Sequence, residues 1–429
     1  MKKLLALLLA VCMMLCFAAC SDTATEEKTD DTANSEKTDD GVLSIDEVEL
    51  TVADKITAVA KEDLKVGFIF LHDKNSTYDK NFIDAANEAC KALGIKDEQI
   101  IMKTGIPEGE ECYTTAKELV TAGCQVIFAD SFGHEPYMVK AAKEFPSVQF
   151  CHATGVRGKT EGLGNYHTAF AEIYKGRYLA GIAAGMKLNE MIEAGEFKAE
   201  EAKMGYVGAF PYAEVISGYT SFYLGAKSVC PSVTMEVQYT QSWFDIEKEN
   251  SAAKALIANG CKLISQHADS SGAPSACEDA KVPNVAYNVD TSNIGPNTAI
   301  VSSKISWVPY MTMMIKAMLD GTSIPADYCA TLEEGAVELT ALTGNAAEGT
   351  QKAIDDAKAK LADGSLKVFD TKTFTVDGKE LTTYLADVVD MGDFVPDTEA
   401  IVDGRFIESE KRSAPYFNVI IDGITVPES

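Results

Sequence analysis

The sequence predicts an α/β chain built as two similar doubly wound lobes. The first observation behind this is an alternation of short apolar segments with helical ones. VGFIFL (66–71) is followed by NFIDAANEACKALG (81–94), and then come QIIMK, TTAKELVTAGC, QVIFAD, YMVKAAKEF and SVQFCHA. Apolar strands alternating with helices of this length imply a parallel sheet covered on both faces. The second observation is that the series starts again at MGYVGAF (204–210), with a helix from Glu214 to Lys227, then TMEVQYT, KENSAAKALIANGC, KLISQHA and PNVAYNV. The third is a match between the two series. AKELVTAGCQVI (116–127) aligns with AKALIANGCKLI (253–264) at a shift of 137, and Gly67 and Gly205 fall into register at a shift of 138. Matching helix-to-strand passages at nearly constant spacing point to two lobes rather than one large sheet.

The N-terminus precedes both lobes. Met1-Lys2-Lys3 leads into LLALLLAVCMMLCFAA (4–19) and Cys20. A basic start, an apolar stretch and small residues before a cut site make a secretory signal. The stretch falls short of the ~20 residues that span a bilayer. Phe17-Ala18-Ala19-Cys20 resembles a bacterial lipobox, with Phe17 where that pattern prefers Leu. Residues 1–19 therefore read as a lipoprotein signal peptide and Cys20 as the lipid anchor. SDTATEEKTDDTANSEKTDD (21–40) has no large apolar residue. It cannot bury enough surface to offset its ordering entropy, so residues 20–42 are expected to be the lipidated Cys and a flexible acidic tether. Anchoring on the extracytoplasmic face of the cell membrane follows as the expected location.

Charge and cysteines narrow the function classes. The chain has 429 residues and a formal net charge of −27, from 65 Asp+Glu against 38 Lys+Arg. Nucleic acid is held through counterion release by Lys and Arg, so the acidic balance argues against it, and against docking on anionic lipid. Of eleven cysteines, Cys12 and Cys16 leave with the signal and Cys20 takes the lipid. The other eight show no CxxC spacing, so neither a zinc site nor a redox motif is indicated, and buried thiols are expected. The five histidines are dispersed without HxxxH or HExxH spacing, and no metal or cofactor is expected.

In lobes of this kind ligands bind beyond the carboxyl ends of the strands, where strand order reverses. The candidates are therefore the strand ends. They are His72 to Asp79 and Asp130-Ser131-Phe132-Gly133 in the first lobe, then Phe210-Pro211-Tyr212, Gln241 to Asp245 and Gln266 to Ser270 in the second. From these, Tyr78, Asp79, Asp130, Ser131, Phe210, Trp243, Gln266 and Asp269 form the expected ligand site. Rings with amide and carboxyl groups suit a flat, neutral, hydrogen-bonding ligand. They suit a phosphate poorly, since no Gly-rich cradle with Lys or Arg sits at these turns.

MGYVGAFPYAEVISGYTSFYLGAKSV, QSWFDIEKENSAAKALIANGCKLISQHADSSG, SSKISWVPYMTMMIKAMLDGT and GNYHTAFAEIYKGRYLAG, with their order in the chain, resemble the BMP family of substrate-binding lipoproteins of ABC importers, from about Ala58 to about Asp370. The resemblance implies a type I periplasmic-binding-protein fold with a hinge between lobes. It also implies purine nucleosides or nucleobases as ligands, and an ABC permease with its ATPase as partner. Tyr78 and Phe210 lie where the family's rings sandwich the base, and Asp269 where a carboxylate binds ribose hydroxyls. Trp307 matches a W-x-P-Y form and joins the candidates, whereas Lys304 is out of register with the nucleoside receptors' lysine. The expected organisation is lobe 1 over 58–178, lobe 2 over 179–292, a return segment over 293–370 completing both lobes, and a C-terminal extension over 371–429.

The sequence also admits three rival readings. Asp269 could cap the following helix, a role compatible with binding ligand. Ala129-Asp130-Ser131-Phe132-Gly133 imitates a nucleophile elbow, with Asp245 and His267 following in the order of a serine hydrolase. Phe132 crowds that elbow, no oxyanion loop precedes it, and the triad would have to assemble across the cleft, so an enzyme is not expected. A ligand-sensing lipoprotein presenting a solute to a membrane receptor would share the fold and the cleft. Beyond residue 370, TKTFTVDGKELTTYL reads as a hairpin through Asp377-Gly378.

Overall fold

The first lobe is a parallel sheet of β1 (Val66–Ile69), β2 (Ile100–Lys103), β3 (Val126–Ala129), β4 (Gln149–Ala153) and β5 (Tyr166–Ala171) in the order β2-β1-β3-β4-β5. The second repeats it with β6 (Lys203–Gly208), β7 (Thr234–Tyr239), β8 (Leu263–His267), β9 (Asn284–Tyr287) and β10 (Ala299–Ile305), in the order β7-β6-β8-β9-β10. Nine helices clothe the sheets among the described residues: α1 (Thr77–Leu93), α2 (Glu110–Thr121), α3 (Glu135–Glu144), α4 (Ile173–Glu193), α5 (Ala213–Val229), α6 (Ile246–Ala258), α7 (Gly272–Ala280), α8 (Val308–Asp320) and α9 (Thr350–Ala362). This computed structural model describes residues 45–48, 56–389 and 395–426. The signal peptide, Cys20 and the tether lie outside the described residues. Both lobes belong to one compact unit, Val42–Ser429.

The duplication has a packing cause that the sequence match foreshadows. A Cβ on Gly67 of β1 would sit 3.0 Å from Leu119 Cδ1 and 3.3 Å from Cys124 Sγ and Ile127 Cγ1. One on Gly205 of β6 would meet Ile264 Cδ1 at 2.6 Å and Leu256 Cβ at 2.9 Å. Leu119 and Leu256, and Ile127 and Ile264, are the residues paired by the internal repeat. Each lobe therefore presses its second helix onto its first strand at the same point, where only glycine leaves room. Helix ends follow local chemistry. Ser76 caps α1 by accepting from Asp79 N, Gly94 closes it at φ 68°, and Asp245 caps α6 by accepting from Lys248 N.

The chain crosses between lobes three times. It leaves β5 for α4, which packs on α5 and β10 of the second lobe, and then leaves β10 for α8, which packs on α1 of the first. Next it runs from β11 (Asp327–Ala330), parallel to β5, to β12 (Val337–Leu339), antiparallel to β10. The 293–370 segment thus feeds both sheets, with β10 lying within the second sheet although it falls past residue 292. Glu172 N donates to Ala330 O at 3.0 Å and Ser306 N to Ala336 O at 2.7 Å, tying the crossings together. The eight cysteines past Cys20 are free thiols, with Cys329 half-buried and the rest buried.

The C-terminal extension adds a fourth connection. It begins with the expected hairpin: Val376 and Lys379 exchange backbone hydrogen bonds at 2.8 and 3.1 Å around Asp377 and Gly378, both at positive φ. Ile424–Thr425 then pairs parallel with β7 at the edge of the second sheet. Between them, Glu408 accepts from Ser217 of α5 in the second lobe. The next residue, Ser409, accepts from the Cys329 thiol of β11 in the first lobe at 3.8 Å, and Ser413 N donates to Asp327 Oδ2 of β11 at 2.8 Å. Adjacent residues of one strap therefore grip opposite lobes.

Burial, then the Glu172 and Glu214 charges, push the Glu408 carboxyl up from 4.5 to about 7, against the hydroxyls of Ser217 and Ser409. A carboxyl raised on folding stabilises the fold below its unfolded value and loses that contribution as pH rises through the folded value. Glu249, also raised to about 7, acts with the same sign. Glu408→Gln imitates the protonated acid, so its melting temperature should gain on the unmodified chain as pH rises from 4.5 to 7. Parallel melting curves across that range would count against a buried, protonated Glu408.

Candidate functional site

In each sheet the strand order reverses beside the first strand of its lobe, between β1 and β3 and between β6 and β8. The loops leaving those strands close on one small cavity of about 20 Å³, too small for a ligand unless the lobes part. The first lobe contributes Leu71 and Tyr78 after β1, Ser131 and Phe132 after β3, and Thr154 after β4. The second contributes Glu214 after β6, Trp243 after β7, and His267 and Asp269 at the end of β8. The lobes also touch directly. Thr77 N donates to Asp269 O at 2.8 Å, and the Phe132 and Tyr212 rings lie 5.4 Å apart.

Of the expected ligand residues, Tyr78, Ser131, Trp243 and Asp269 line this cavity. Tyr78 is fixed by its hydroxyl, which donates to Asp130 O at 2.8 Å, and by the edge of Phe82 at 4.8 Å. Ser131 Oγ donates to Glu108 Oε1 at 2.5 Å. Asp269 does not cap α7, whose N-cap is Ser271. Its carboxyl accepts no hydrogen bond from any described residue, while its backbone N–H donates to Trp243 O at 2.9 Å. Burial, then the neighbouring Glu249, Asp79 and Glu214, push that carboxyl well above the usual range.

The side chains of the other five expected residues turn elsewhere in this structure. Asp79 accepts from His72 N at 2.6 Å and from Ser76 Oγ at 2.6 Å, so it braces the loop leading into α1. Burial alone would raise its pKa, but the bonds from His72 and Ser76 outweigh it and the pKa is lowered. Asp130 points its carboxyl back to Leu71 N at 3.1 Å, and burial followed by repulsion from Asp79 raises it well above normal. Gln266 donates within its own loop to Ser270 O at 3.3 Å. Phe210 stacks on Tyr212 at 5.2 Å and meets Trp243 edge-on at 5.1 Å, so it supports the wall instead of forming it. Trp307 is 2% exposed, stacked on Phe82 at 4.4 Å with Phe128 and Phe170 around it, a core residue at the second crossing.

Sequence reasoning missed Glu214. The strand-end rule stopped at Tyr212, whereas α5 starts at Ala213 and its first turn faces the cleft. Glu214 Oε1 lies 3.2 Å from His267 Nε2. The hydrolase arrangement is not assembled: Asp245 caps α6, His267 pairs with Glu214, and Ser131 with Glu108. A larger hollow of about 240 Å³ lies between α4, α9 and the C-terminal extension. Lys175 pairs with Glu172 and Arg405 with Glu410 in its lining, beside Lys367.

Comparison with known proteins agrees with this geometry. The model of the Bmp family, described as ABC transporter substrate-binding protein PnrA-like, matches residues 64–368. A purine-binding protein of Brucella abortus is 34% identical over 326 residues, covering 75% of this chain and 88% of that protein. A putative ABC transporter glucose-binding protein of Haloferax volcanii is 30% identical over 255 residues, 59% of this chain and 61% of its own. Among solved structures, an ABC transporter solute-binding protein from Conexibacter woesei superimposes with a TM-score of 0.57 at 21% identity, covering 71% of this chain and 98% of its own. That likeness establishes the two-lobed periplasmic-binding-protein fold.

The two tryptophans separate the roles of core and cavity. Trp307→Ala should cost about 3–5 kcal/mol of stability, as large aromatic truncations in cores do, and Trp243→Ala much less. Denaturant melts compare them, and equal losses would contradict the assignment.

Proposed function

The chain belongs to the Bmp family of PnrA-like ABC transporter substrate-binding proteins, and we propose that it captures a purine between its lobes for delivery to an ABC permease. The observation that carries this reading is the cavity at the paired switch points, where Tyr78 and Trp243 stand with the open carboxyl groups of Asp269 and Glu214. Rings suit the faces of a purine and carboxyls its N–H edges. The purine-binding relative, at 34% identity across most of both chains, supports the same ligand class.

No bond is made or broken in this function. The ligand stabilises the closed arrangement of the lobes over the open one, and its differential affinity for the two does the work. The protein would act from the extracytoplasmic face of the cell membrane, held through lipidated Cys20 and the 21–40 segment after removal of residues 1–19. The ABC permease and its ATPase are the partners that family membership suggests.

A thermal-shift screen of the chain without its first 42 residues against purine bases, purine nucleosides and glucose tests the ligand class. A purine at 1,000 times its dissociation constant adds roughly 4 kcal/mol, a rise of several degrees. A rise with glucose alone would reject the purine reading. In titration calorimetry, Tyr78→Ala and Trp243→Ala should each weaken purine binding by roughly 1–3 kcal/mol, the range for stacking of a base on a ring. Phe210→Ala should do less, since Phe210 reaches the cavity through neighbouring rings such as Trp243. Full affinity in both ring variants would remove stacking from the account.

A further inference from the structure

The hydroxyl groups lining the cavity spend their donors on the protein. Tyr78 donates to Asp130 O, Ser131 to Glu108, and Thr154 to Ala153 O. What it keeps open toward a ligand is chiefly acceptor capacity, concentrated on two carboxyl groups of the second lobe. These two stand in different surroundings. Asp269, with no hydrogen bond from a described residue and acids around it, is pushed toward its protonated form, which can donate as well as accept. Glu214 sits in the first turn of α5, where the helix N-terminus favours negative charge, and takes a hydrogen bond from His267.

His267 is itself held from behind. Burial, then the Arg177 charge, lower its pKa, so the ring is neutral despite Glu214. A neutral imidazole has one N–H, and Glu214 at 3.2 Å from Nε2 takes it there. The other nitrogen faces a small polar chamber around Gly218. A Cβ on Gly218 would lie 3.1 Å from His267 Nδ1, 3.6 Å from the Tyr206 hydroxyl and 3.7 Å from Arg177 Nε. These three atoms are buried and without a hydrogen-bond partner among the described residues. Arg177 is 1% exposed, stacks its guanidinium 3.4 Å over the Tyr287 ring, and donates to Gln266 O at 2.9 Å. It forms no ion pair with a carboxylate among the described residues. Its charge therefore acts on His267 from behind, while Glu214 Oε2 accepts no hydrogen bond from a described residue and Glu214 lines the cavity.

We infer that Glu214 selects among purines by accepting hydrogen bonds from a pair of adjacent N–H groups on the base, with His267 and Arg177 as its positioning residues. Guanine carries such a pair at N1 and the 2-amino group, whereas adenine presents a donor beside an acceptor. A carboxylate matches the first edge, and an amide matches the second. The inference rests on the purine reading and adds to it the class of purine.

The test is titration calorimetry with guanine against adenine, and guanosine against adenosine, on the unmodified chain, Glu214→Gln, Glu214→Asp and His267→Phe. The unmodified chain should prefer the guanine member of a pair by tenfold or more. Glu214→Gln should move that ratio at least tenfold toward adenine, because the amide offers one acceptor and one donor. Glu214→Asp keeps a carboxylate and should keep the guanine preference at weaker affinity. His267→Phe should shift the ratio in the direction of Glu214→Gln by a smaller step. Purine binding with an unchanged ratio in Glu214→Gln would overturn the role of Glu214 while leaving the purine reading intact. Absence of heat with every purine on the unmodified chain would overturn the purine reading, and this inference with it.

Discussion

Parallel strands deliver all their outgoing loops to one edge of a sheet. When the order reverses beside the first strand, the loops on either side diverge and leave a crevice. In this chain both sheets have the reversal, beside β1 in one and β6 in the other. The three crossings then set the two crevices face to face. Everything at the cavity depends on that arrangement, since each lining residue sits just past a strand end. The glycines at Gly67 and Gly205 serve the same end, letting a helix lie close on the strand that opens each crevice.

Acidic groups are concentrated around the cavity, and they are managed in different ways. Asp79 is stabilised by hydrogen bonds from its own loop. Asp130, Asp269, Glu249 and Glu408 are pushed up first by burial, with neighbouring acidic groups adding to it. Glu214 has His267 with Arg177 behind it. Desolvated carboxyls that are neither paired nor protonated are costly, so a ligand bringing N–H donors relieves a strain that an anionic ligand would worsen. The strap brings Glu408 into this same field from residues beyond the part matched to the family. It couples the C-terminal extension to both lobes through Ser217 and Cys329.

What the sequence made legible was periodic or local. The repeated strand-helix order, the 137-residue match and the Asp377–Gly378 turn all depend on near neighbours, and each has its counterpart in the structure. Position after a strand brought Tyr78, Ser131, Trp243 and Asp269 to the cavity, but it does not say which way a side chain turns. Asp79 and Asp130 turn back to backbone N–H groups, and Phe210 turns onto Tyr212. Trp307 follows a strand too, yet the stacked ring of Phe82 comes from a helix more than two hundred residues earlier. Glu214 was one turn past the strand end. The strap's grip on both lobes joins Ser217 to Glu408 and Cys329 to Ser409, contacts across 191 and 80 residues that no local pattern announces.

A crystal structure grown with a purine base tests the central claim most directly. The account predicts the base between the rings of Tyr78 and Trp243, with its N–H edge on the second-lobe carboxyls. A base seated in the hollow beside Tyr174 and Phe369, or lobes closed over an empty cavity at saturating purine, would contradict it.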